Sequence, residues 1–432
     1  MTLPILTAVS DASWEADLVA GLSDAELGVV VVRRCVDVAD LLAAAAARTA
    51  QAVVLSADLR RLDREVLGRL EAAGVAVVAL VEPGDDQAER RLRQLGVAAV
   101  LPTDAGVASI AQALQEAVAV GGTAVPAGGA SSLADPISAI PRLGEPPTEA
   151  AGPPGVGRVC AVWGPTGAPG RTTVATGLAD EAARLGVSTL LVDADTYGGS
   201  IGQLLGFLDE SPGLAAAARL AGHGRLDLPA LARLARTTDP RLRVLTGITR
   251  ADRWPELPGP AIEAVLSLGR QLAALTVVDC GFSLEQDEEI VYDTAVPRRN
   301  AATLASLAAA DTVLVVGAAD PVGMHRLVRA LLDLGEMLPG AAVSVVVNKV
   351  RRGITPGDPA GQTLAALRRH TGVLGATFLP YDLAGLDRAM AGGRTLAEVA
   401  PSSPLRRALT ALAGQVTGSA EAVQRRGRRR AS

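Results

Sequence analysis

Short apolar runs alternate with amphipathic stretches in the first 119 residues. The apolar runs predict strands at residues 4–8, 28–32, 52–55, 75–81 and 97–101. Between them lie stretches with the apolar spacing of helices, such as residues 38–47 and 86–95. Because parallel strands are joined by crossover helices, this alternation predicts a parallel sheet covered by helices.

The same alternation returns between residues 158 and 416. Its apolar runs predict strands at residues 159–163, 189–192, 243–245, 276–278, 312–316 and 343–347. Helical stretches separate most of these strands, which is typical of a doubly wound α/β sheet.

Residues 120–157 break the pattern with eight Gly and seven Pro and few large apolar side chains. Such a segment cannot bury enough surface to offset its ordering entropy. The sequence therefore predicts one domain at residues 1–119, a flexible linker at 120–157, a second domain at 158–416 and a basic tail at 417–432.

Composition mainly excludes functions. The 432 residues suffice for two or three domains, and a hydrophobic content of 49 % supplies their cores. A net charge of −5 argues against a globally basic nucleic-acid binder, and 2 % aromatic residues argue against a base-stacking platform. No membrane span is predicted, because Gly and Pro interrupt the apolar stretch at 117–134. No export signal is predicted either. The three Cys and three His are scattered, so we expect neither disulfides nor a zinc site in what reads as a cytoplasmic protein.

The first five strand–helix units resemble the receiver fold of response regulators, but the residues of receiver chemistry are missing. A receiver has an acidic pair after its first strand, where only Asp11 stands here. Ser56 ends the third strand in place of the phosphoacceptor Asp, and Leu101-Pro102 replaces a Lys after the fifth. This predicts a pseudo-receiver that serves docking or dimerisation. A small α/β domain without receiver ancestry is the alternative.

A loop of small residues follows the apolar run at 159–163. It reads Gly164-Pro165-Thr166-Gly167-Ala168-Pro169-Gly170-Arg171-Thr172-Thr173 and leads into a predicted helix that ends near residue 185. Strand, small-residue loop and helix form the context of a phosphate-binding loop, because backbone N–H groups and the helix N-terminus point at the anion. The pattern G-x-x-x-x-G-K-[ST] is met only in part, since Pro165 replaces the first Gly and Arg171 the Lys. A Gly-rich turn without a ligand is the alternative.

Three carboxylates follow two other predicted strands. Asp193 and Asp195 end the strand at 189–192, and Asp279 ends the strand at 276–278. The carboxyl ends of parallel strands share one edge of a sheet, so these side chains are expected to face a metal ion and an attacking water beside the loop.

Taken in order, these elements resemble the ParA/MinD family of deviant Walker A ATPases over residues 160–414. The family's loop reads K-G-G-x-G-K-[ST]-[ST], which residues 166–173 follow. Further matching blocks lie at residues 309–316, 346–349, 379–382 and 393–401. The receiver-like first domain, with Gly198-Gly199 and residues 204–206 and 212–214, resembles the CpaE/TadZ branch of pilus localisation factors and its septum-site-determining relatives.

The resemblance implies ATP and Mg²⁺ as cofactors and a role for each matching residue. Asp195 would position or activate water with support from Asp193, and Asp279 would reach Mg²⁺ together with Thr172. Asn348 would read the adenine, with a turn-capping Asn as the alternative, and Pro380 and Asp382 would border the base. The residues implied to hold the phosphates are Gly167, Ala168, Pro169, Gly170, Arg171, Thr172 and Thr173.

Two departures from the family pattern concern its lysines. Thr166 stands where the family has the lysine that crosses the dimer, and Arg171 where a lysine touches the β- and γ-phosphates. Arginine is a planar fork and lysine a flexible point charge, so the two are not equivalent here. ATP binding is therefore expected, with weak or no hydrolysis.

The resemblance implies a nucleotide-switched localisation or scaffold protein. ATP would favour a homodimer that recruits pilus, secretion or division machinery at a pole or septum. The Arg-rich tail is predicted either to be solvated or to contact a membrane or DNA peripherally. A ParA-type DNA-partitioning ATPase, a MinD-like membrane-cycling ATPase and a metabolic P-loop enzyme are the alternatives.

Overall fold

The computed structural model describes residues 2–9, 14–22, 27–59, 62–122, 156–207, 212–286, 297–351 and 358–419. These form two compact units, each with its own sheet. The predicted linker, apart from its ends, and residues 420–432 of the predicted basic tail lie outside the described residues, and so does Asp11.

The first unit contains a parallel five-stranded sheet with the order β2-β1-β3-β4-β5. Its strands are β1 (Leu3–Ala8), β2 (Val29–Cys35), β3 (Ala52–Ser56), β4 (Ala76–Val81) and β5 (Ala99–Pro102). Its helices are α1 (Glu15–Leu22), α2 (Val38–Ala46), α3 (Arg64–Ala72), α4 (Asp86–Leu95) and α5 (Val107–Gly122). This strand order is the flavodoxin-like one.

The helices of this unit begin where the sequence supplies caps. Asp37, Asp63 and Asp85 each accept a hydrogen bond from a backbone N–H three residues further on, at the starts of α2, α3 and α4. Every residue of β3 is buried, and a hydrophobic cluster lies on each face of the sheet. Burial on both faces is what a central parallel strand requires.

After α5 the strands are β6 (Arg158–Trp163), β7 (Thr189–Ala194), β8 (Arg236–Asp239), β9 (Leu242–Leu245), β10 (Leu275–Cys280), β11 (Thr312–Ala318), β12 (Val343–Val350) and β13 (Ala376–Pro380). The helices before β11 are α6 (Arg171–Arg184), α7 (Ile201–Leu204), α8 (Gly213–Gly222), α9 (Leu228–Leu234), α10 (Gly259–Leu272) and α11 (Ala301–Ala308). Those after it are α12 (Pro321–Met337), α13 (Pro359–Thr371), α14 (Leu383–Gly392), α15 (Leu396–Val399) and α16 (Pro404–Val416). A 3-10 helix spans Ala251–Glu256.

The second sheet has the order β13-β12-β11-β6-β10-β7-β9-β8, and only the pair of β8 and β9 is antiparallel. From β6 the chain crosses to β7 on one side, and β11 later pairs with the other side of β6. Ligands of open α/β sheets bind outside the carboxyl ends of the strands near such a reversal. The predicted α/β class, with a flavodoxin-like first sheet and a doubly wound second sheet, is confirmed.

The helix α6 lies in the core of this unit and packs against α16. Leu405, Leu409 and Leu412 of α16 share a buried cluster with Val174 and Leu178 of α6. In the part of the chain that the structure describes, no helix is long and apolar enough to cross a membrane.

Candidate functional site

The loop between β6 and α6 has the backbone of an anion-binding turn. Gly167 and Gly170 have φ values of +102° and +101°, and Ala168 between them has a φ of +51°. Gly170 is the N-cap of α6 and brings no side chain to the first N–H groups of this 14-residue helix. Those groups and the positive end of the helix dipole therefore face the loop.

Small residues in the loop allow close approaches that a side chain would prevent. A Cβ on Gly164 would collide with the carbonyl oxygen of Val316, and a Cβ on Gly170 would collide with Nδ2 of Asn348. The strand ends and the loop are thus packed against each other, which fixes the path of the loop backbone.

Asn348 and Lys349, at the carboxyl end of β12, donate hydrogen bonds to backbone carbonyls of the loop. Nδ2 of the buried Asn348 donates to the carbonyl of Pro169 at 2.9 Å, and Nζ of Lys349 donates to the carbonyl of Ala168 at 2.7 Å. In this arrangement the amide of Asn348 supports the loop rather than a turn of its own strand. Its role in reading adenine stays a prediction.

Arg171, the first residue of α6, is tied to the protein at four points. Its Nε donates to the carbonyl of Cys280 at 3.0 Å, and Nη1 donates to the carbonyls of Gly164 and Pro165 at 3.3 and 3.2 Å. Its Nη2 forms an ion pair with Asp195 at 3.2 Å, in which the two side chains are 11 % and 7 % exposed. The guanidinium therefore joins the ends of β6 and β10 to the turn that follows β7.

The three predicted carboxyl groups come together at the ends of β7 and β10, and all three are buried. Asp193 accepts from the N–H groups of Asp195 and Ile201. Asp195 accepts from the N–H groups of Tyr197 and Gly198 as well as from Arg171. The backbone thus holds both side chains in place.

Asp279 differs from the other two carboxyls. Among the described residues, no donor forms a hydrogen bond of good distance and angle with either of its oxygens, although the hydroxyl of Thr172 faces the carboxyl. Burial raises the pKa of Asp279 well above its usual range, Asp193 raises it further, and Thr172 lowers it. Burial also raises the pKa of Asp193 to about 7.

This donor set fits Mg²⁺. A hard cation takes carboxylate and hydroxyl oxygens, and it typically binds one or two carboxylates together with phosphate oxygens. Asp279 and Thr172 present these atoms at the start of α6, and a cation there would compensate for the burial of the Asp279 carboxyl. Within the described residues, no group of three or more His, Cys, Asp or Glu side chains is arranged as a metal site.

A cavity of about 230 Å³ opens beside the loop, between α6, α14 and α15. Thr173, Lys349 and Tyr381 lie in its wall, and its other lining residues include Leu386 and Leu409. Pro380, at the end of β13, precedes Tyr381 and is half-buried.

Asp382 serves the backbone at this edge of the sheet. It is the N-cap of α14, where it accepts from the N–H of Gly385 at 2.9 Å and from the hydroxyl of Ser403 at 2.5 Å. These hydrogen bonds lower the pKa of Asp382. That Asp382 lies next to the base of a bound nucleotide stays a prediction.

Several residues near the loop were not among the predicted site residues. Arg299 contacts the two residues that follow Asp195. It donates to the hydroxyl and the carbonyl of Thr196, and its Cζ lies 3.9 Å from the centre of the Tyr197 ring. The guanidinium of Arg326, on α12, lies where a side chain on Gly167 would be. For Lys349 there was a signal, because it is the only lysine in the chain. For Arg299 there was a weak signal, the pair Arg298-Arg299 before an Ala-rich stretch, which was interpreted as a solvated helix start rather than a nucleotide or partner contact. For Arg326 there was none, since its approach to Gly167 joins distant parts of the chain.

Neither a protein-family model nor a curated protein matches the chain. Solved structures do match it. A ParA family ATPase from Chlorobium tepidum TLS is 17 % identical, with a TM-score of 0.50, and the match covers 59 % of this chain and 98 % of that one. The chain shares the fold of this ATPase.

Two further matching structures are those of MinD proteins. The cell division ATPase MinD from Pyrococcus furiosus is 18 % identical over 60 % of this chain and 98 % of its own, with a TM-score of 0.47. The septum site-determining protein MinD from Pyrococcus horikoshii OT3, complexed with Mg-ADP, is 16 % identical over 60 % of this chain and 95 % of its own, also with a TM-score of 0.47.

Proposed function

We propose that the second unit binds ATP together with Mg²⁺. The observation that carries this proposal is Asp279, a buried carboxyl without a strict hydrogen-bond partner, facing Thr172 at the start of an uncapped helix. Gly167, Ala168 and Gly170 turn the loop backbone toward the same place. Burying such a carboxyl is costly unless a cation or donor compensates for it.

The residues divide the work as follows. The N–H groups of the loop and of the first turn of α6 bind the phosphates, and Thr172 and Asp279 hold Mg²⁺, which offsets the phosphate charge when bound. Asp195, fixed by two N–H groups and Arg171, faces the site from the end of β7. The cavity beside Thr173 and Tyr381 takes the base and ribose.

We further propose that hydrolysis is slow. Phosphoryl transfer needs positive charge where negative charge develops between the phosphates, and it needs a positioned water. The guanidinium of Arg171 is tied to three carbonyls and to Asp195, the group that would position the water. Loss of one positioned charge lowers a rate roughly a hundredfold or more.

The biological role that fits a binding site with slow turnover is a scaffold. We propose an ATP-dependent homodimer of the CpaE/TadZ type that positions pilus, secretion or division machinery. The sequence blocks shared with that branch support this role, and so does a first unit with a flavodoxin-like sheet and without a phosphoacceptor Asp at the end of β3.

Calorimetry on the full chain tests the binding step. ATP with Mg²⁺ should bind, and Thr172→Ala should weaken binding at least tenfold because it removes a metal and phosphate ligand. The matched control is Thr417→Ala, which removes a hydroxyl that bonds Ala413 in the last turn of α16. If the unmodified protein takes up no ATP, or if Thr172→Ala binds as well as Thr417→Ala, the proposed site is wrong.

Sedimentation, phosphate release and imaging test the role. ATP with Mg²⁺ should shift the protein toward a dimer and yield little phosphate, and the double change Thr166→Lys with Arg171→Lys should raise turnover. A fluorescent fusion should gather at a pole or septum. ATP-dependent coating of the nucleoid would instead identify a DNA-partitioning ATPase.

A further inference from the structure

Lys349 occupies an unusual position in the chain and in the fold. Every other one of the 41 Lys and Arg residues is an arginine. Lys349 has a φ of +59°, a left-handed conformation that few side-chain-bearing residues adopt. Its Nζ reaches the carbonyl of Ala168 in the phosphate loop at 2.7 Å, and its side chain lines the 230 Å³ cavity. The single lysine thus lies between the loop and the cavity.

Two cations that bond to backbone carbonyls of the loop, Arg171 and Lys349, differ in how many of their N–H donors are still available. Arg171 uses four of its five N–H donors on protein acceptors, one of them the buried carboxylate of Asp195. Lys349 uses one of its three donors, on Ala168. No carboxylate pairs with Lys349 among the described residues.

We propose that Lys349 contacts the phosphate groups of the nucleotide and supplies the mobile positive charge that Arg171 does not. This inference rests on the proposed ATP site. An ammonium on a four-carbon stem can turn from the Ala168 carbonyl to a phosphate oxygen by rotating its own bonds. The guanidinium of Arg171 would first have to break an ion pair and leave three carbonyls without it.

The left-handed backbone at Lys349 is what brings this stem to the loop. The pairing of β12 with β13 is interrupted between Val347 and Val350, so the chain kinks at this point. Asn348 turns to Pro169 and Lys349 to Ala168, which places two consecutive side chains on two consecutive loop carbonyls. Strain of this kind is found where a side chain must be held in one direction.

Amine labelling tests the contact directly, because the chain has one lysine. A limiting amount of an amine-reactive acetylating reagent modifies Lys349 and the N-terminal amine, and mass spectrometry of the peptides reports both. Saturating ATP with Mg²⁺ should slow acetylation of Lys349 at least fivefold relative to the N-terminal amine, whereas adenosine should not. Equal rates with and without ATP, or equal protection by adenosine, would overturn the proposal.

Affinity measurements locate the contact on the phosphates. Lys349→Met should weaken binding of ATP and ADP roughly ten- to a hundredfold, the usual worth of a charge-assisted hydrogen bond, and leave adenosine unchanged. Lys349→Arg should recover part of the loss. The matched control is Arg369→Met, which removes one exposed positive charge from α13.

The two proposals fail in different ways. If calorimetry shows ATP binding to the unmodified protein but Lys349→Met binds like Arg369→Met, the role of Lys349 is wrong and the ATP site stands. If the unmodified protein binds no ATP, the proposed function itself is wrong. Thermal unfolding of each variant shows whether a loss of affinity comes from a loss of fold.

Discussion

Three carboxyl groups meet at the ends of β7 and β10, and the protein treats them differently. Asp193 and Asp195 each accept from two backbone N–H groups, and Asp195 also pairs with Arg171. Asp279 has no such backbone donor, and the pKa values of Asp193 and Asp279 are raised. Burial is the first cause in both cases, and the mutual repulsion of the carboxyls adds to it. A cation bound among these carboxyls would offset both the burial and the mutual repulsion of their charged forms.

The pKa of Asp193 makes a prediction about stability. This pKa is about 7 in the folded protein against an ordinary value of 3.8 for Asp, so the folded state holds the proton more tightly than the unfolded chain. Stability should therefore fall as the pH rises from about 4 to about 7, by roughly a few kcal/mol at most. Asp193→Asn should make this fall smaller, as measured by urea unfolding across that range. A steeper fall in the variant would contradict the assignment.

Gly170 makes a second prediction at the residue scale. In Gly170→Ala the new side chain is strained by the positive φ of this position, and its Cβ collides with Asn348. The substitution should therefore destabilise the protein and weaken ATP binding at least tenfold. Gly186→Ala is the matched control, because its φ of +100° is the same but no atom lies within 4 Å of the new Cβ. The control should cost about 1–2 kcal/mol of unfolding free energy and leave ATP affinity unchanged. Equal effects on binding would show that the close approach of Asn348 is unimportant.

At the scale of elements, the strands that carry the site could be predicted and the edges of the sheet could not. The runs before Asp193 and Asp279 are continuous and apolar because β7 and β10 are buried on both faces, and that pattern needs no knowledge of the fold. The strand β8 was missed because Arg236–Asp239 is polar and exposed, so its strand conformation depends on its pairing with β9 and not on an apolar pattern. The strand β13 was missed as well, although its last residues were noted as a sequence block.

The same division holds inside the site. The loop, its glycines and the three carboxyls follow from local sequence. The four partners of Arg171 do not, because they come from β6, the Pro165 turn, β10 and the turn after β7. Arg171 was recognised as a departure from the family's lysine, but its hydrogen bonds to several strand ends depend on contacts between segments up to 109 residues apart.

The packing of α16 on α6 carries the prediction at this scale. Leu409 is 1 % exposed and contacts α6 so closely that a Cβ on Gly177 would meet its Cδ1. Leu409→Ala should therefore lower the unfolding free energy by about 2–5 kcal/mol. Leu332→Ala on α12, at a side chain 48 % exposed, should change it by less than about 0.5 kcal/mol. Denaturant unfolding measures both. A small effect of Leu409→Ala would mean that α16 contributes little to the unit that contains the loop.

At the scale of the whole molecule, the described residues form two α/β units, and the three carboxyls of the proposed phosphate site all lie in the second. The first sheet has the order of flavodoxin-like folds, whose functional groups lie at the carboxyl ends of the strands. There β3 ends in the buried Ser56, and Asp58 is exposed two residues further on. In place of a Lys, β5 ends in Leu101 and Pro102. That the first unit serves docking or dimerisation, without phosphoryl transfer of its own, stays a prediction.

The first unit should therefore not accept a phosphoryl group. Transfer from a small phosphodonor requires a carboxylate nucleophile, a carboxylate-bound Mg²⁺ and a cation to stabilise the developing charge, and Ser56 and Leu101 stand where the nucleophile and the cation are needed. Incubation of the full chain with a phosphodonor and Mg²⁺, followed by peptide mass analysis, should give no stoichiometric adduct on residues 1–119, while an active receiver domain in the same reaction is phosphorylated. The hydroxyl of Ser56 is buried and is a weaker nucleophile than a carboxylate, so Ser56→Ala should leave the result unchanged. A stoichiometric phosphate on this unit, above all one lost in Asp58→Asn, would show that an exposed carboxylate two residues past the strand can do the work of the missing one.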